Sequence, residues 1–313
     1  MKSDDTLPGK EKSRTSGTGP LRRVRVLINP NSGAQLQRGT LPRQMQKSWD
    51  VPGVDLTYQF SLSIEDGREK ARRAIADGVD TILVVGGDGM VNTIGRELIG
   101  SPVTLGVIPA GSGNGFARHF DIPLDWRKAA EKLVHAPALA IDVGAANGRP
   151  FFVTCSMAWD AALVRSFEKF PVRGIFPYIL AGAYGLFEYE PQPFTLWADD
   201  SEPVRFEEPL LCTAANLTQF GGGARIAPNA CPDDGELELV VMNRGDFPTL
   251  MTGLQRLFDG TIDRMPEVFT RRFRRLVVER ERPAPIQLDG EVVDAPARVE
   301  IKVIPRALRI LAP

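Results

Sequence analysis

Residues Thr81 to Met90 read TILVVGGDGM. An apolar, largely β-branched run passes straight into two glycines, an aspartate and a third glycine. A short apolar run bounded by turn residues reads as a buried strand. Asn92 to Ile99, just beyond, has helical spacing. Strand, glycine-rich turn and helix together bring backbone N–H groups and a helix N-terminus to one point, where an anion can sit. Asp88, among the glycines, is the hard oxygen donor that magnesium or its waters accept. A plain βα turn with an aspartate cap would use the same residue. Against that, glycines cost conformational entropy unless something approaches the backbone closely, so Gly86, Gly87 and Gly89 point to a ligand.

The pattern repeats on both sides. Val24 to Ile28 (VRVLI) and Thr104 to Ile108 (TLGVI) are further strand candidates, and Ile64 to Asp77 and Trp126 to His135 read as helices. Strands alternating with helices predict a parallel α/β sheet, which binds ligands at the carboxyl ends of its strands. The first strand ends in Asn29-Pro30-Asn31-Ser32-Gly33. The third ends in PAGSGNGF, where Gly111, Ser112, Gly113 and Asn114 can turn N–H groups toward a phosphate. This loop only superficially resembles a dinucleotide fingerprint, because Phe116 stands where the last glycine belongs. No GxxxxGK[ST] loop occurs either. The expected nucleotide site is therefore of another type, built from these three loops and Asn92.

The second half changes character. Short β-like runs appear at Phe151–Cys155, Leu210–Ala214, Leu237–Met242, Arg275–Val278 and Arg298–Ile304, with turn signals PDDG at 232–235 and LDG at 288–290. Helices are expected around 161–189 and 246–258. His135-Ala136-Pro137 interrupts a helix and sets the boundary near 136–142. The expected fold is α/β plus β. A Rossmann-like three-layer nucleotide domain spans 23–140, with 305–313 as a candidate to complete it. An antiparallel β-sandwich-like domain with inserted helices spans 141–304. Residues 1–22 read as a polar, disordered tail.

The chain has 313 residues, with 38 Lys plus Arg against 39 Asp plus Glu, a net charge of −1. Such a balance argues against nucleic acid as a partner. Two histidines, His119 and His135, exclude most His-rich zinc sites and speak against a Ser-His-Asp triad. His119 reads as a solvated helix residue. Cys155, Cys212 and Cys231 form no CxxC pair, which fits a reducing, cytoplasmic setting. No secretory leader is visible. The longest uncharged apolar stretch, Gly174–Phe187, has 14 residues, against about 20 for a spanning helix. The expected protein lies against a membrane without crossing it.

Five motifs, in order, carry a resemblance. GGDG at 86–89, PAGSGNGFAR at 109–118, Ile141-Asp142-Val143-Gly144, GGGARIAPNACPDDGE at 221–236 and Leu288-Asp289-Gly290-Glu291 resemble the diacylglycerol kinase catalytic-domain family of lipid kinases. The third loop is in the style of its sphingosine and ceramide kinase branch. Two positions depart from the family pattern: Met90 replaces the usual threonine, and Gly115 replaces an aspartate found in many members.

The resemblance implies phosphorylation of a diacylglycerol-, sphingosine- or ceramide-like lipid hydroxyl, using ATP and Mg2+, in a cleft between two domains. It implies Asp88 as magnesium organiser and Ser61 as a nucleotide contact. Glu291 is the candidate general base and Asp289 an orienter or metal partner, with the order of the two left open. Asp234, with the backbone carbonyls of Cys231 and Glu236, would bind a structural magnesium. Asp142 would be a further acidic position facing the cleft and a further metal candidate, and Asp160 would meet the lipid head group. The expected setting is cytoplasmic and peripherally membrane-associated, and a homodimer stays open. The aromatic segment Val172–Phe187 would rim the acyl pocket. Arg271-Arg272-Phe273-Arg274-Arg275 reads either as a membrane-attracting cluster or as an exposed strand of alternating charge. Two rivals stand beside this reading. An NAD kinase should have an Asn-Glu pair, yet Asn92 is followed by Thr93. A non-catalytic nucleotide- or lipid-binding regulator is suggested by Met90 and Gly115.

Overall fold

The apolar runs become the centre of a parallel sheet: Val26, Leu27, Ile82 to Val85, Leu105 and Ile108 have essentially no exposed surface. The computed structural model of the protein describes residues 22–30, 32, 41–159, 161 and 189–313. It divides into two compact units, one running to Ile141 and closed by Ala307–Pro313, the other Asp142–Arg306.

In the first unit β1 (Arg22–Ile28), β2 (Val54–Phe60), β3 (Thr81–Gly86) and β4 (Thr104–Pro109) lie parallel in the order β2-β1-β3-β4. The end of the last strand, β18 (Arg298–Leu311), adds a fifth beside β4, with Arg309 opposite Thr104. Strand β1 begins at Arg22, inside the expected tail, because the Arg22 amide donates to Gly53 O at 2.7 Å and its guanidinium to Thr81 Oγ1 at 3.1 Å. The helices are α1 (Leu41–Trp49), α2 (Ile64–Ala76), α3 (Asp88–Leu98), α4 (Gly115–His119) and α5 (Trp126–Val134). They pair off as α1 with α5 and α2 with α3. Trp49 Nε1 donates to Ala130 O at 3.0 Å, joining α1 to α5. Ser63 caps α2 and Asp125 caps α5 through their side-chain oxygens, satisfying the first free amides of each helix. This is the Rossmann-like arrangement that the alternation predicts.

In the second unit β7 (Thr154–Ser156), β10 (Pro209–Ala215), β13 (Leu237–Asn243), β14 (Val268–Phe273), β16 (Ile286–Leu288) and β17 (Glu291–Val293) form an antiparallel sheet in the order β14-β13-β10-β7-β16-β17. Facing it are β8 (Phe194–Ala198), β9 (Val204–Phe206), β15 (Arg275–Arg280) and the first part of β18. The hairpin β5 (Ala138–Ala146) with β6 (Arg149–Phe151) pairs with β18. Cys155, Cys212, Leu237 and Leu288 of one layer meet Phe194, Leu276, Val278 and Ile301 of the other, which makes the expected sandwich core. On the outer face, Leu211, Val240 and Met242 pack beneath Ile226, Ile262 and Met265. Leu250 and Leu257 of α6 (Phe247–Asp259) join that cluster, and β11 (Gln219–Gly221) with β12 (Ala224–Arg225) forms a small hairpin.

Three expectations change. Phe151–Cys155 is two strands, not one, because the intervening amides bond to a side chain instead of a ladder. The last strand runs on to Leu311, serving both units. The arginine cluster turns at Arg274 between β14 and β15, which lie in different sheets. The helix expected at 161–189, the segment Val172–Phe187 and the tail to residue 21 lie outside the described residues. Among the described residues no helix is long and apolar enough to cross a membrane.

Gly144 faces Phe151 across the β5–β6 hairpin, and an added Cβ would stand 2.1 Å from the ring's Cζ. Gly144→Ala should therefore destabilise by about 1–3 kcal/mol. Thermal unfolding should show a fall of about 2–4 °C for each kcal/mol.

Candidate functional site

The three loops of the first unit are drawn together at the carboxyl edge of its sheet. Asn29 N donates to Val85 O at 3.1 Å, Ser61 N to Ile28 O at 2.8 Å and Ala110 N to Gly86 O at 2.9 Å. The Asn29-Pro30 turn is closed by Ser32 N on Asn29 O at 3.1 Å. Asn31 and Gly33 lie outside the described residues. Ser61 thus reaches the same edge from the end of β2. Asn92 is buried, one turn into α3.

The glycines have a physical reason different from the expected one. What approaches Gly87 closely is the third loop: a Cβ on Gly111 would stand 2.5 Å from Gly87 Cα. Gly86 lies under Met90, whose Cβ and Sδ would be 2.9 Å from an added Cβ. The methionine that departs from the family pattern is therefore packing against the second loop. Gly89 is different, since among the described residues outside its own helix turn nothing lies within 4 Å of an added Cβ. Its amide stands in the first turn of α3, where no helical acceptor exists. Gly89 thus opens the helix N-terminus to an anion, and Ser112 is exposed on the facing loop.

Asp88 and Asn114 are engaged with the backbone. Asp88 Oδ2 accepts from Gly115 N and Oδ1 from Phe116 N, both at 3.0 Å, so the carboxylate caps α4. Asn114 adopts the left-handed region at φ 50°. Its Oδ1 accepts from Gly111 N at 3.0 Å and its Nδ2 donates to Gly111 O at 2.8 Å, which fixes the loop. Arg118 Nε donates to Gly113 O at 3.0 Å, an anchoring contact within the loop. Each oxygen of Asp88 retains a second lone pair, so the residue fits a magnesium ion or its waters without releasing α4. His119 is partly buried, not solvated. Its ring meets Phe120 edge-on at 4.7 Å. Burial lowers its pKa to about 4, opposed by Asp121.

In the second unit Asp289 and Gly290 take φ 50° and 91°, forming the two-residue turn of the β16–β17 hairpin, with Leu288 opposite Glu291. The Asp289 carboxylate accepts three amides: Phe152 N and Val153 N at 2.7 Å and Thr154 N at 3.1 Å. These are the amides missing from the strand expected at 151–155. Asp289 is an anchor of the turn, whereas Glu291 is exposed at the start of β17.

Asp142 is fully buried. Its oxygens accept from Gly235 N at 2.6 Å and Arg306 N at 2.7 Å, tying the 232–235 turn to β18. Asn216, which the sequence reading passed over, donates to Asp142 O at 2.9 Å and Phe152 O at 3.0 Å. No local pattern marks it. In the 231–236 loop, Asp234 pairs with Arg272, and Glu236 with Arg272 at 3.1 Å and Arg274 at 3.6 Å. Cys231 Sγ lies 3.2 Å from Asp233 Oδ1. Among the described residues no three His, Cys, Asp or Glu side chains converge as metal ligands. Arginine supplies the positive charge at the Asp234 and Glu236 carboxylates. The same pairs, with Arg275 on Glu300 at 2.8 Å, neutralise much of the basic cluster. Asp160 lies outside the described residues.

Comparison with known proteins agrees with this architecture. The family model for the diacylglycerol kinase catalytic domain matches residues 23–146, and that for the YegS C-terminal NAD kinase β-sandwich-like domain matches 154–312. A diacylglycerol kinase of Mycobacterium tuberculosis is 31% identical over 94% of this chain and 98% of its own length. One of Bacillus subtilis is 26% identical over 87% and 90%. A solved diacylglycerol kinase structure from Bacillus anthracis shares the fold, with a TM-score of 0.71 at 20% identity over 93% of this chain and 97% of its own.

The partly buried His119 gives a pH signature. The unfolded chain takes up a proton below its ordinary pKa of 6.5, while the folded ring resists until about 4. Its contribution to stability is therefore complete above 6.5 and shrinks as pH falls toward 4. Denaturant unfolding at pH 7 and pH 5 should show a loss that His119→Gln reduces by on the order of 2 kcal/mol.

Proposed function

This chain belongs to the diacylglycerol kinase catalytic-domain family and is a lipid kinase, and from that premise we propose that it moves the γ-phosphate of ATP to a primary hydroxyl of a membrane lipid. The observation that carries this reading is the edge of the first unit. Two glycine loops are locked to each other through Gly87 and Gly111, while Gly89 and the α3 N-terminus stay open. Backbone amides and a helix dipole are the groups that hold phosphates when positioning does most of the catalytic work.

In the proposed reaction Glu291 accepts the proton of the lipid hydroxyl while that oxygen bonds to the γ-phosphorus. The bond from phosphorus to the β-bridging oxygen breaks, and ADP leaves with the electron pair. Asp289 holds the turn that carries Glu291. Asp88 holds α4 and the third loop, and its outward lone pairs are where Mg2+ would be met. Magnesium, when bound, would neutralise charge on the phosphates. Diacylglycerol is the acceptor named in the chain's relatives. Sphingoid bases and ceramide offer the same primary hydroxyl. Membrane association at the lipid surface is part of the proposal.

Labelled ATP incubated with a total lipid extract should yield one labelled phospholipid, identified by mass. Glu291→Gln should lower kcat by about 10²–10⁴ with little change in ATP affinity and in thermal stability. Asp289→Asn should lower both activity and melting temperature, since an amide nitrogen would face backbone donors. If Glu291→Gln keeps full turnover, Glu291 is not the base. If no lipid is labelled, the chain is a binder and not a kinase of extractable lipids.

A further inference from the structure

Arg280 ends β15 and is only 5% exposed. Its backbone amide donates to Ala297 O at 2.9 Å. Its Nη2 donates to Ala284 O at 2.8 Å and to Pro296 O at 2.7 Å, with Ala295 O at 3.4 Å. Ala284 lies two residues before β16. Ala295 and Pro296 lie two and three residues after β17. One guanidinium nitrogen therefore gathers both ends of the hairpin that carries Asp289 at its tip and Glu291 on its second strand.

This arginine is an expensive way to hold a loop. Among the described residues no carboxylate pairs with it, and its Nε and Nη1 are buried without hydrogen-bond partners. Burying a cation without a counter-charge is strongly unfavourable. An apolar residue of similar volume would fill the space at lower cost but could not reach two converging segments of backbone. What the charge achieves is the convergence itself. The planar, rigid guanidinium holds Nη2 in one place, so the carbonyls it binds are fixed more narrowly than a flexible ammonium could fix them.

We propose that Arg280 is a positioning residue for Glu291. It fixes the base of the β16–β17 hairpin as Asp289 fixes the tip, so that the Glu291 carboxylate is presented in one place. The proposal rests on the reading of Glu291 as the general base. A carboxylate displaced by about 1 Å can lose roughly a hundredfold in rate. Arg280 touches neither nucleotide nor lipid in this scheme and acts only through the hairpin.

The test uses the full chain, labelled ATP and a lipid substrate found active with the wild type. Arg280→Met should lower kcat about 10- to 100-fold and leave the KM for ATP unchanged. Arg280→Lys, which keeps the charge but not the fork, should recover part of that loss. In a Glu291→Gln background, Arg280→Met should cause no further fall in kcat, because the group it positions is already disabled. Hydrogen exchange should show faster exchange of the amides of residues 286–293 in Arg280→Met, with β1 to β4 unchanged. Should Arg280→Met fail to fold, Arg280→Lys carries the same comparisons at smaller amplitude. Equal losses of kcat in both backgrounds, or hairpin exchange like that of wild type, would overturn the proposal. Full activity of Glu291→Gln alone would remove the base assignment and this role with it. Hydrogen exchange would then still report on the clamp separately, so the two failures can be told apart.

Discussion

Turns that expose amides to a packed interior need acceptors, and in this chain three aspartates provide them. A buried amide left unpaired costs about as much as a lost hydrogen bond. Asp88 takes two amides at the start of α4, Asp142 takes one from the 232–235 turn and one from β18, and Asp289 takes three from residues 152–154. A carboxylate suits the task because it only accepts, with two oxygens and several lone pairs. Each of these contacts joins segments far apart in the chain. The acids that hold these loops are the same residues that the sequence offers as site candidates.

This explains what was legible in the sequence and what was not. The apolar runs before Gly86 and Pro109 announce buried parallel strands, because burial on both faces demands continuous hydrophobicity. The glycines announce a close approach, but not its partner. For Gly87 the partner is Gly111, and for Gly86 it is Met90. The Asp-Gly pair at 289–290 announces a hairpin turn through its need for positive φ. The destination of the Asp289 carboxylate, 135 to 137 residues away, leaves no local trace. A strand drawn from Phe151 to Cys155 is therefore reasonable from composition and wrong in register, since Asp289 takes the amides in its middle.

Charge pairing shows the same limit. The arginine run 271–275 suggests a positive surface when read alone. In the fold, Arg272 and Arg274 face Asp234 and Glu236, and Arg275 faces Glu300. Arg271 lies over the Phe269 ring and donates to Ser201 Oγ at 2.8 Å. The run turns at Arg274 from β14 into β15 of another sheet, and its arginines pair with acids of different segments, so it is divided before it can act as one patch. The acids of the 231–236 loop are correspondingly less available to a cation. Any magnesium held there would depend on backbone carbonyls, or on displacing an arginine whose exposed ion pair is worth little.

The distribution of order follows from these contacts. The first unit fixes its loops to one another and leaves space beside the backbone at Gly89, in the first turn of α3, that no described residue fills. The second unit fixes its hairpin at the tip through Asp289 and at the base through Arg280. In both, the groups proposed to meet substrate lie next to groups that hold them through backbone hydrogen bonds. Preorganisation of this kind costs stability at the site, in positive-φ turns and a buried cation that no carboxylate pairs with among the described residues. It is useful only where a reacting group must be held within a fraction of an ångström. A regulator that merely binds nucleotide would need the first of these arrangements and would have no use for the second, which is why the support beneath Glu291 favours a transferring enzyme over a binding module.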